Sequence, residues 1–190
     1  MNILIYGIGA MGSIYASLLS KADNKVYVVD KWQEHINEIN KNGLKVEGAS
    51  GTNISKSLEA YKEIPNDIDF ELIIISTKAS GVKDAAIEIK KIINDNTIII
   101  SIQNGIGSSD EIKNYIPQKN LLVGVADGFG ASIIKPGHVH HNAMKLIRFG
   151  ELEGGITKRL NSIKDLWVNA GFNALAFENI NQLIWEKFIC

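Results

Sequence analysis

Four short runs of apolar, mostly β-branched residues, separated by helical patterns, constrain the fold of this chain most strongly. The runs occupy residues 3–6, 26–29, 72–76 and 97–102, and the helical patterns between them occupy about 10–22, 32–41 and 81–93. The runs lack polar alternation, which predicts strands buried on both faces. Strands that alternate with helices predict an α/β fold with a doubly wound, mainly parallel sheet.

The rest of the chain has weaker patterns. Turn residues within 44–54 indicate a small hairpin, and residues 121–126 are typical of a further strand. Residues 138–141 and 145–149 resemble antiparallel strands rather than another strand–helix–strand unit. A helix is expected at about 156–170 and a last short strand at 173–177.

Composition excludes several classes of function. The 190 residues include 20 Lys plus Arg and 21 Asp plus Glu, so the formal charge is −1, which argues against a nucleic-acid-binding surface. The single cysteine, Cys190, cannot form an internal disulfide framework, and a cytoplasmic location is expected. No apolar run approaches the roughly 18 residues that span a bilayer, so no membrane partner is expected.

A glycine motif of the form G-x-G-x-x-G follows the first predicted strand and opens the first helix. In this context the first glycine permits a tight turn, the second lets the backbone approach a pyrophosphate, and the third permits close packing of helix and strand. The motif predicts dinucleotide binding in a Rossmann-type domain. The cofactor-binding residues that it supplies are Gly7, Ile8, Gly9, Ala10, Met11 and Gly12.

The second strand ends at Asp30 and Lys31, and Asp30 lies 30 − 12 = 18 residues beyond the third glycine. The ribose 2′ position of a dinucleotide is recognised at this point. A carboxylate there favours NAD, whereas a nearby cation accommodates the 2′-phosphate of NADP. The two neighbours therefore give opposite signals, and a solvated pair of charges at a strand end is the plain alternative.

Polar residues also follow the third and fourth buried strands. Lys78 could contact anions of a cofactor or substrate, and Asn104 could hydrogen-bond either of them. An exposed loop lysine and ordinary Asn-Gly turn chemistry explain the same residues without a function.

The last predicted helix carries a charged residue within an apolar stripe. At about 100° per residue, Lys187 falls among Ile180, Leu183, Ile184 and Phe188. Such a lysine can extend to solvent, find a partner or donate a proton in a site. The stripe itself has no evident packing partner in the sequence.

Taken together, these motifs resemble the ketopantoate reductase (2-dehydropantoate 2-reductase) family of the 6-phosphogluconate dehydrogenase-like superfamily. The resemblance covers the whole chain and depends on the order and spacing of six motifs. They are the glycine motif, Ser76-Thr77-Lys78-Ala79, Gln103-Asn104-Gly105-Ile106-Gly107, Gly130-Ala131, Pro136-Gly137-His138-Val139 and Trp185-Glu186-Lys187-Phe188.

The resemblance implies NADPH-dependent reduction of ketopantoate to pantoate, on the route to pantothenate and coenzyme A. It makes Lys187 the catalytic general acid and a substrate-binding residue. It assigns Asn104 to both cofactor and substrate, Lys78 to the cofactor, and Ala131 to a position near the cofactor. The implied partner is a small 2-keto acid, and a homodimer stays open.

Two departures from the family pattern affect these expectations. The family usually has an arginine in place of Lys31, preceded by a small residue rather than Asp30, so NADP(H) is the first choice and NAD(H) is the alternative. In the family, the helix that carries the lysine also continues into an all-helical domain. We therefore expect a dinucleotide-binding domain at 1–177 and, at 178–190, only the first helix of a truncated second domain. Such a fragment should bind cofactor without reducing ketopantoate.

Three other interpretations compete. A reductase of another 2-keto acid would share the enzyme class, and a non-catalytic dinucleotide-sensing module would not. A metal site at His138, His140 and His141 is disfavoured, because alternate residues of a strand face opposite sides. Those histidines are expected at the surface or at the cofactor edge, and His35 on a surface helix.

Overall fold

The computed structural model describes residues 1–103 and 107–189, and its main feature is an eight-stranded sheet of order β12-β11-β8-β7-β6-β1-β2-β5. Six of these strands are mutually parallel, whereas β11 runs antiparallel to β8 and carries β12 parallel to itself. The eight strands are β1 (Asn2–Tyr6), β2 (Lys25–Val29), β5 (Glu59–Tyr61), β6 (Leu72–Ile75), β7 (Ile98–Ile102), β8 (Leu121–Asp127), β11 (Leu146–Glu151) and β12 (Ala174–Ala176).

Helices cover both faces of this sheet, and the predicted doubly wound, mainly parallel α/β fold is confirmed. The strands β1 and β6 are almost wholly buried, as their unbroken apolar runs predict. The helices are α1 (Ala10–Leu19), α2 (Gln33–Asn42), α3 (Val82–Ile89), α4 (Ser108–Lys113), α5 (Lys158–Asn169) and α6 (Ile180–Ile189), with short 3₁₀ turns at Ala79–Gly81 and Gln118–Asn120.

A second sheet, of order β4-β3-β10-β9, packs on the outer side of α1. Its strands are β3 (Leu44–Gly48), β4 (Asn53–Ser55), β9 (Gly130–Lys135) and β10 (His138–Ala143). Because α1 lies between two sheets, all of its residues from Gly12 to Leu19 are buried. Ser17 in this helix accepts hydrogen bonds from Ser55 at 3.1 Å and from Asn53 at 3.1 Å.

The hairpin predicted within 44–54 is confirmed as β3 and β4. The two strands predicted at 138–141 and 145–149 exist, but they belong to different sheets: β10 pairs antiparallel with β9, and β11 pairs antiparallel with β8. The sequence did not predict β5, β9 or α4. Each is short or begins beside a glycine, and β9 has mixed burial that gives no clear alternation.

The apolar stripe of α6 has a packing partner, contrary to expectation. Ile180 and Leu183 are buried in one cluster with Val123 and Val125 of β8. The helix also lies against β11, where a Cβ added to Gly150 would be 2.4 Å from the Cβ of Ile180. The expected division at residue 177 stays a prediction.

Two histidines are fully buried: His35, which was expected on a surface helix, and His141, which was expected at the surface or at the cofactor edge. His35 on α2 and His141 on β10 each have no exposed surface, and burial lowers the pKa of both imidazoles. The His138 side chain is also mostly buried, and its Nε2 lies 3.2 Å from Oε2 of Glu47 on the neighbouring strand β3. Within the described part of the chain, no helix is both long and apolar enough to cross a membrane.

Candidate functional site

The carboxyl ends of the six parallel strands border a cleft of about 750 Å³. Ligands of open α/β sheets bind in this location, where the loops that follow the strands meet. The cleft brings together eight of the predicted site residues: Gly7, Gly9, Ala10, Met11, Asp30, Lys31, Lys78 and Ala131. Asn104, predicted to contact both cofactor and substrate, lies outside the described residues.

The three glycines of the motif, at positions 7, 9 and 12, have the distinct environments that the sequence predicts. Gly7 has a φ of +98°, and a Cβ there would lie 2.8 Å from the backbone nitrogen of Thr77. A Cβ on Gly12 would lie 2.0 Å from the carbonyl oxygen of Gly7, so the helix and the turn touch directly. A Cβ on Gly9 would meet no atom within 4 Å, because this residue faces the open cleft.

The first turn of α1 fits a dinucleotide pyrophosphate. Gly9 is the N-cap of the helix and supplies no side-chain cap for the N–H groups of that turn. Such groups, together with the helix dipole, favour an anion at the helix N-terminus. The space beside Gly9 lets a phosphate approach them closely.

The carboxylate of Asp30 holds the glycine turn. One of its oxygens, Oδ2, accepts a hydrogen bond from the backbone N–H of Ile8 at 2.8 Å, and Oδ1 accepts one from the N–H of Trp32 at 3.0 Å. Asp30 also lines the cleft. Both carboxylate oxygens of Asp30 therefore hold backbone N–H groups at the wall of the cleft.

The neighbouring cation, Lys31, forms an ion pair with Asp84 of α3, with 3.1 Å between Nζ and Oδ2. Both side chains are largely exposed and both line the cleft. Lys62, at the end of β5, lies on the same wall. The wall where the sequence predicts ribose recognition therefore carries two acidic and two basic side chains.

Ser76 and Lys78 extend from the end of β6. The hydroxyl of Ser76 donates a hydrogen bond to the carbonyl oxygen of Gly7 at 2.7 Å, which ties β6 to the glycine turn. Lys78 is exposed at the cleft wall. On the opposite wall, β9 begins with Gly130 and Ala131, which line the cleft together with Phe129, so the second sheet also reaches the cleft.

Lys187 belongs to α6, and its side chain contacts the carboxyl end of β8 next to the cleft. Its ammonium group donates a hydrogen bond to the carbonyl oxygen of Ala126, which lines the cleft, and is 3.9 Å from a carboxylate oxygen of Asp127. Asp127 is also paired with Arg148. The side chain of Lys187 is 34% exposed, so the lysine reaches from the apolar face of α6 to a polar position rather than remaining buried in that face.

The sequence did not single out Lys62, Asp84, Ser76 or Tyr6 as cleft residues. Lys62 follows the unpredicted strand β5, and only the pairing of β2 with β5 places it beside Lys31. The hydroxyl of Tyr6 donates to Glu88 at 2.8 Å, and burial together with that carboxylate raises the pKa of the phenol.

The sequence of this chain matches one known protein family. The family model for ketopantoate reductase PanE/ApbA matches residues 3–154. The chain belongs to this family. A ketopantoate reductase relative from Streptococcus pyogenes serotype M1, named 2-dehydropantoate 2-reductase, is 33% identical over 187 residues. That alignment covers 98% of this chain, and the chain spans 60% of the length of the relative.

Two solved structures are similar to this chain in fold. A 2-dehydropantoate 2-reductase from Enterococcus faecalis, described as putative, has a TM-score of 0.88 and 30% identity, covering 98% of this chain and 60% of that protein. D-mandelate dehydrogenase in a ternary structure with NADH and anilino(oxo)acetate has a TM-score of 0.90 and 28% identity, with the same coverage.

Proposed function

We propose that this chain binds a nicotinamide dinucleotide in the cleft and serves the reduction of a 2-keto acid, ketopantoate in the first place. The observation that carries the proposal is the glycine turn, where the space beside Gly9 adjoins the uncapped N-terminus of α1. Residues 1–177 would bind the dinucleotide, and residues 178–190 would bring Lys187 to the cleft. Lys78 and Ala131 would contact the cofactor, and Asn104 would contact both cofactor and substrate.

Lys187 would act as the proton donor. When bound, the reduced nicotinamide supplies the hydride. Negative charge then develops on the oxygen of the substrate carbonyl, and an ammonium group beside it stabilises that charge and transfers a proton to it. The carbonyl of Ala126 and the carboxylate of Asp127 orient the ammonium group for this role.

The resemblance implies NADPH, whereas the charges at the ribose end support NADH. Asp30 is held in the cleft by two backbone N–H groups, and a carboxylate there accepts hydrogen bonds from ribose hydroxyls but repels a 2′-phosphate. Lys31, the cation that would bind that phosphate, is already paired with Asp84. We therefore propose NADH as the preferred cofactor.

Removing the charge of Asp84 should raise the affinity for NADPH about threefold to fivefold and leave that for NADH within about twofold, the scale of an exposed ion pair. Asp84→Asn frees Lys31 for the 2′-phosphate and removes a repelling charge. Dissociation constants for both cofactors test this, with Asp165→Asn on α5 as a control that lies outside the cleft. If wild-type protein binds NADPH more tightly than NADH, the proposed preference is wrong.

The likeness to D-mandelate dehydrogenase supports a second candidate, the reduction of a different 2-keto acid. Oxidation of NADH and NADPH should be followed with ketopantoate and with aromatic and branched aliphatic 2-keto acids, using the polypeptide that the gene encodes. The proposal predicts turnover with ketopantoate above the others. Turnover with an aromatic 2-keto acid alone would establish the second candidate.

A further inference from the structure

His35 is a fully buried imidazole that joins the two walls of the cleft. It lies on α2, outside the cleft, and its ring meets α1 on one side and the turn between β9 and β10 on the other. Burying a polar ring has a free-energy cost that hydrogen bonds at both nitrogens offset. The contacts at its two nitrogens therefore show what this side chain holds together.

At one nitrogen, Nδ1, the ring accepts a hydrogen bond from the backbone N–H of Gly137 at 2.9 Å. Gly137 has a φ of +70° and forms the turn that connects β9 to β10. The same hairpin carries Ala131, which lines the cleft. His35 thus fixes the turn of the β9–β10 hairpin, and the opposite end of the same hairpin forms a wall of the cleft.

At the other nitrogen, Nε2, the ring is 3.5 Å from the hydroxyl of Ser13, and that hydroxyl donates to the carbonyl oxygen of Ile8 at 3.2 Å. Ile8 is the second residue of the glycine turn. Its N–H group is held by Asp30, so both polar groups of this residue are restrained. Trp32, which follows Asp30 and Lys31, completes the network. Its ring stacks on the His35 ring with 4.7 Å between the ring centroids and 6° between the ring planes.

We propose that His35 is a positioning residue for the dinucleotide, which in its neutral form holds the glycine turn and the β9–β10 hairpin in register. This inference rests on the proposed function, because it assumes that the glycine turn binds the cofactor. His35 acts through Ser13 and Gly137 and does not itself touch the cofactor.

Protonation of His35 breaks the arrangement for a geometric reason. Because Nδ1 accepts from Gly137, the neutral ring carries its proton on Nε2. A second proton on Nδ1 would point at the Gly137 N–H, so two donors would face each other. The glycine turn and the hairpin would then lose their link.

The pH range follows from the surroundings of the ring. Burial lowers the pKa of His35 below its ordinary value of 6.5, while the Asp30 carboxylate at the end of β2 and the backbone of Ile8 act in the opposite direction. α1 contributes the Ser13 hydroxyl, and the hairpin contributes the Gly137 backbone. Stability from the neutral ring is therefore complete above 6.5 and is lost as the pH falls towards the lowered pKa. Dinucleotide affinity falls as the pH passes below that pKa.

Three variants separate positioning from mere core packing. His35→Asn keeps an acceptor near the position of Nδ1, His35→Gln keeps an amide near that of Nε2, and His35→Leu keeps volume alone. Wild-type protein should bind NADH progressively more weakly as the pH falls from neutrality through the lowered pKa of His35, below 6.5. His35→Asn or His35→Gln should bind within about fivefold of wild type at neutral pH without an acid loss, and His35→Leu should lose about tenfold at neutral pH.

His141, the other buried histidine, provides the matched control. Its Nδ1 lies 2.9 Å from the Ser50 hydroxyl, away from the glycine turn, and burial lowers its pKa as well. An acid loss that persists in His35→Asn and disappears in His141→Asn would overturn the inference. So would unchanged NADH affinity in His35→Leu.

Amide hydrogen exchange tests the role of His35 without relying on cofactor binding. At a single neutral pH, the amides of His35→Leu should exchange at least about fivefold faster than those of wild type at residues 7–13 and at residues 137 and 138, with α5 unchanged. Equal exchange in both proteins contradicts the positioning role. If wild-type protein binds neither NADH nor NADPH, the proposed function is refuted, and faster exchange in His35→Leu would then show only that His35 holds the glycine turn and the hairpin together.

Discussion

Gly12→Ala should lower the free energy of unfolding by about 2–3 kcal/mol, the upper part of the range of about 1–3 kcal/mol for inserting a methyl group into a packed interior, and should abolish dinucleotide binding. The added Cβ would lie 2.0 Å from the carbonyl oxygen of Gly7. Alanine is the better helix former by up to about 1 kcal/mol, but the steric conflict with backbone is larger and decides the sign. Chemical denaturation and calorimetric titration with NADH measure the two effects.

Gly9→Ala is the matched control for this substitution. Gly9 has an ordinary φ of −67°, and its added Cβ would meet no protein atom within 4 Å. Stability should change by less than about 1 kcal/mol, the cost of alanine at an N-cap, while NADH affinity falls at least about tenfold. If Gly9→Ala binds NADH as wild type does, the pyrophosphate does not lie against this turn.

Lys187→Met should lower kcat for 2-keto acid reduction by about a hundredfold to ten-thousandfold, the usual contribution of a positioned acid, with a smaller effect on KM. Methionine preserves most of the side-chain volume but cannot donate a proton or stabilise the developing oxyanion. Steady-state kinetics should be measured on the polypeptide that the gene encodes. Cofactor affinity should stay within about twofold, because the role proposed for Lys187 is at the substrate carbonyl.

Lys158→Met provides the comparison, because this lysine lies at the start of α5 and outside the cleft. It should leave kcat and KM unchanged. A Lys187→Met enzyme that retains more than about a third of wild-type kcat would show that another group donates the proton.

The central strands and the glycine turn could be predicted because local pattern determines them. The runs that became β1, β2, β6 and β7 are almost entirely apolar, as burial on both faces favours. β5 could not be predicted in this way. It is three residues long, and its pairing with β2 is a tertiary contact that the hydrophobic pattern of so short a segment cannot indicate.

For the candidate site, the sequence could predict which residues lie at the ends of the parallel strands. It could not predict which side chains from distant parts of the chain pair with them. The positions of Gly9 and Lys78 in the cleft follow from the order of strands. The pairing of Lys31 with Asp84 does not, since the two residues are 53 positions apart. The helical pattern of α2 placed His35 at the surface, because nothing local indicated that the β9–β10 turn covers it.

The most direct test of this account is a calorimetric titration of the folded protein with NADH and with NADPH, repeated on Gly9→Ala. We expect one binding site for the dinucleotide, tighter binding of NADH than of NADPH, and a loss of affinity of about tenfold or more in Gly9→Ala. Absence of binding of either cofactor to the folded wild-type protein at millimolar concentration would contradict it.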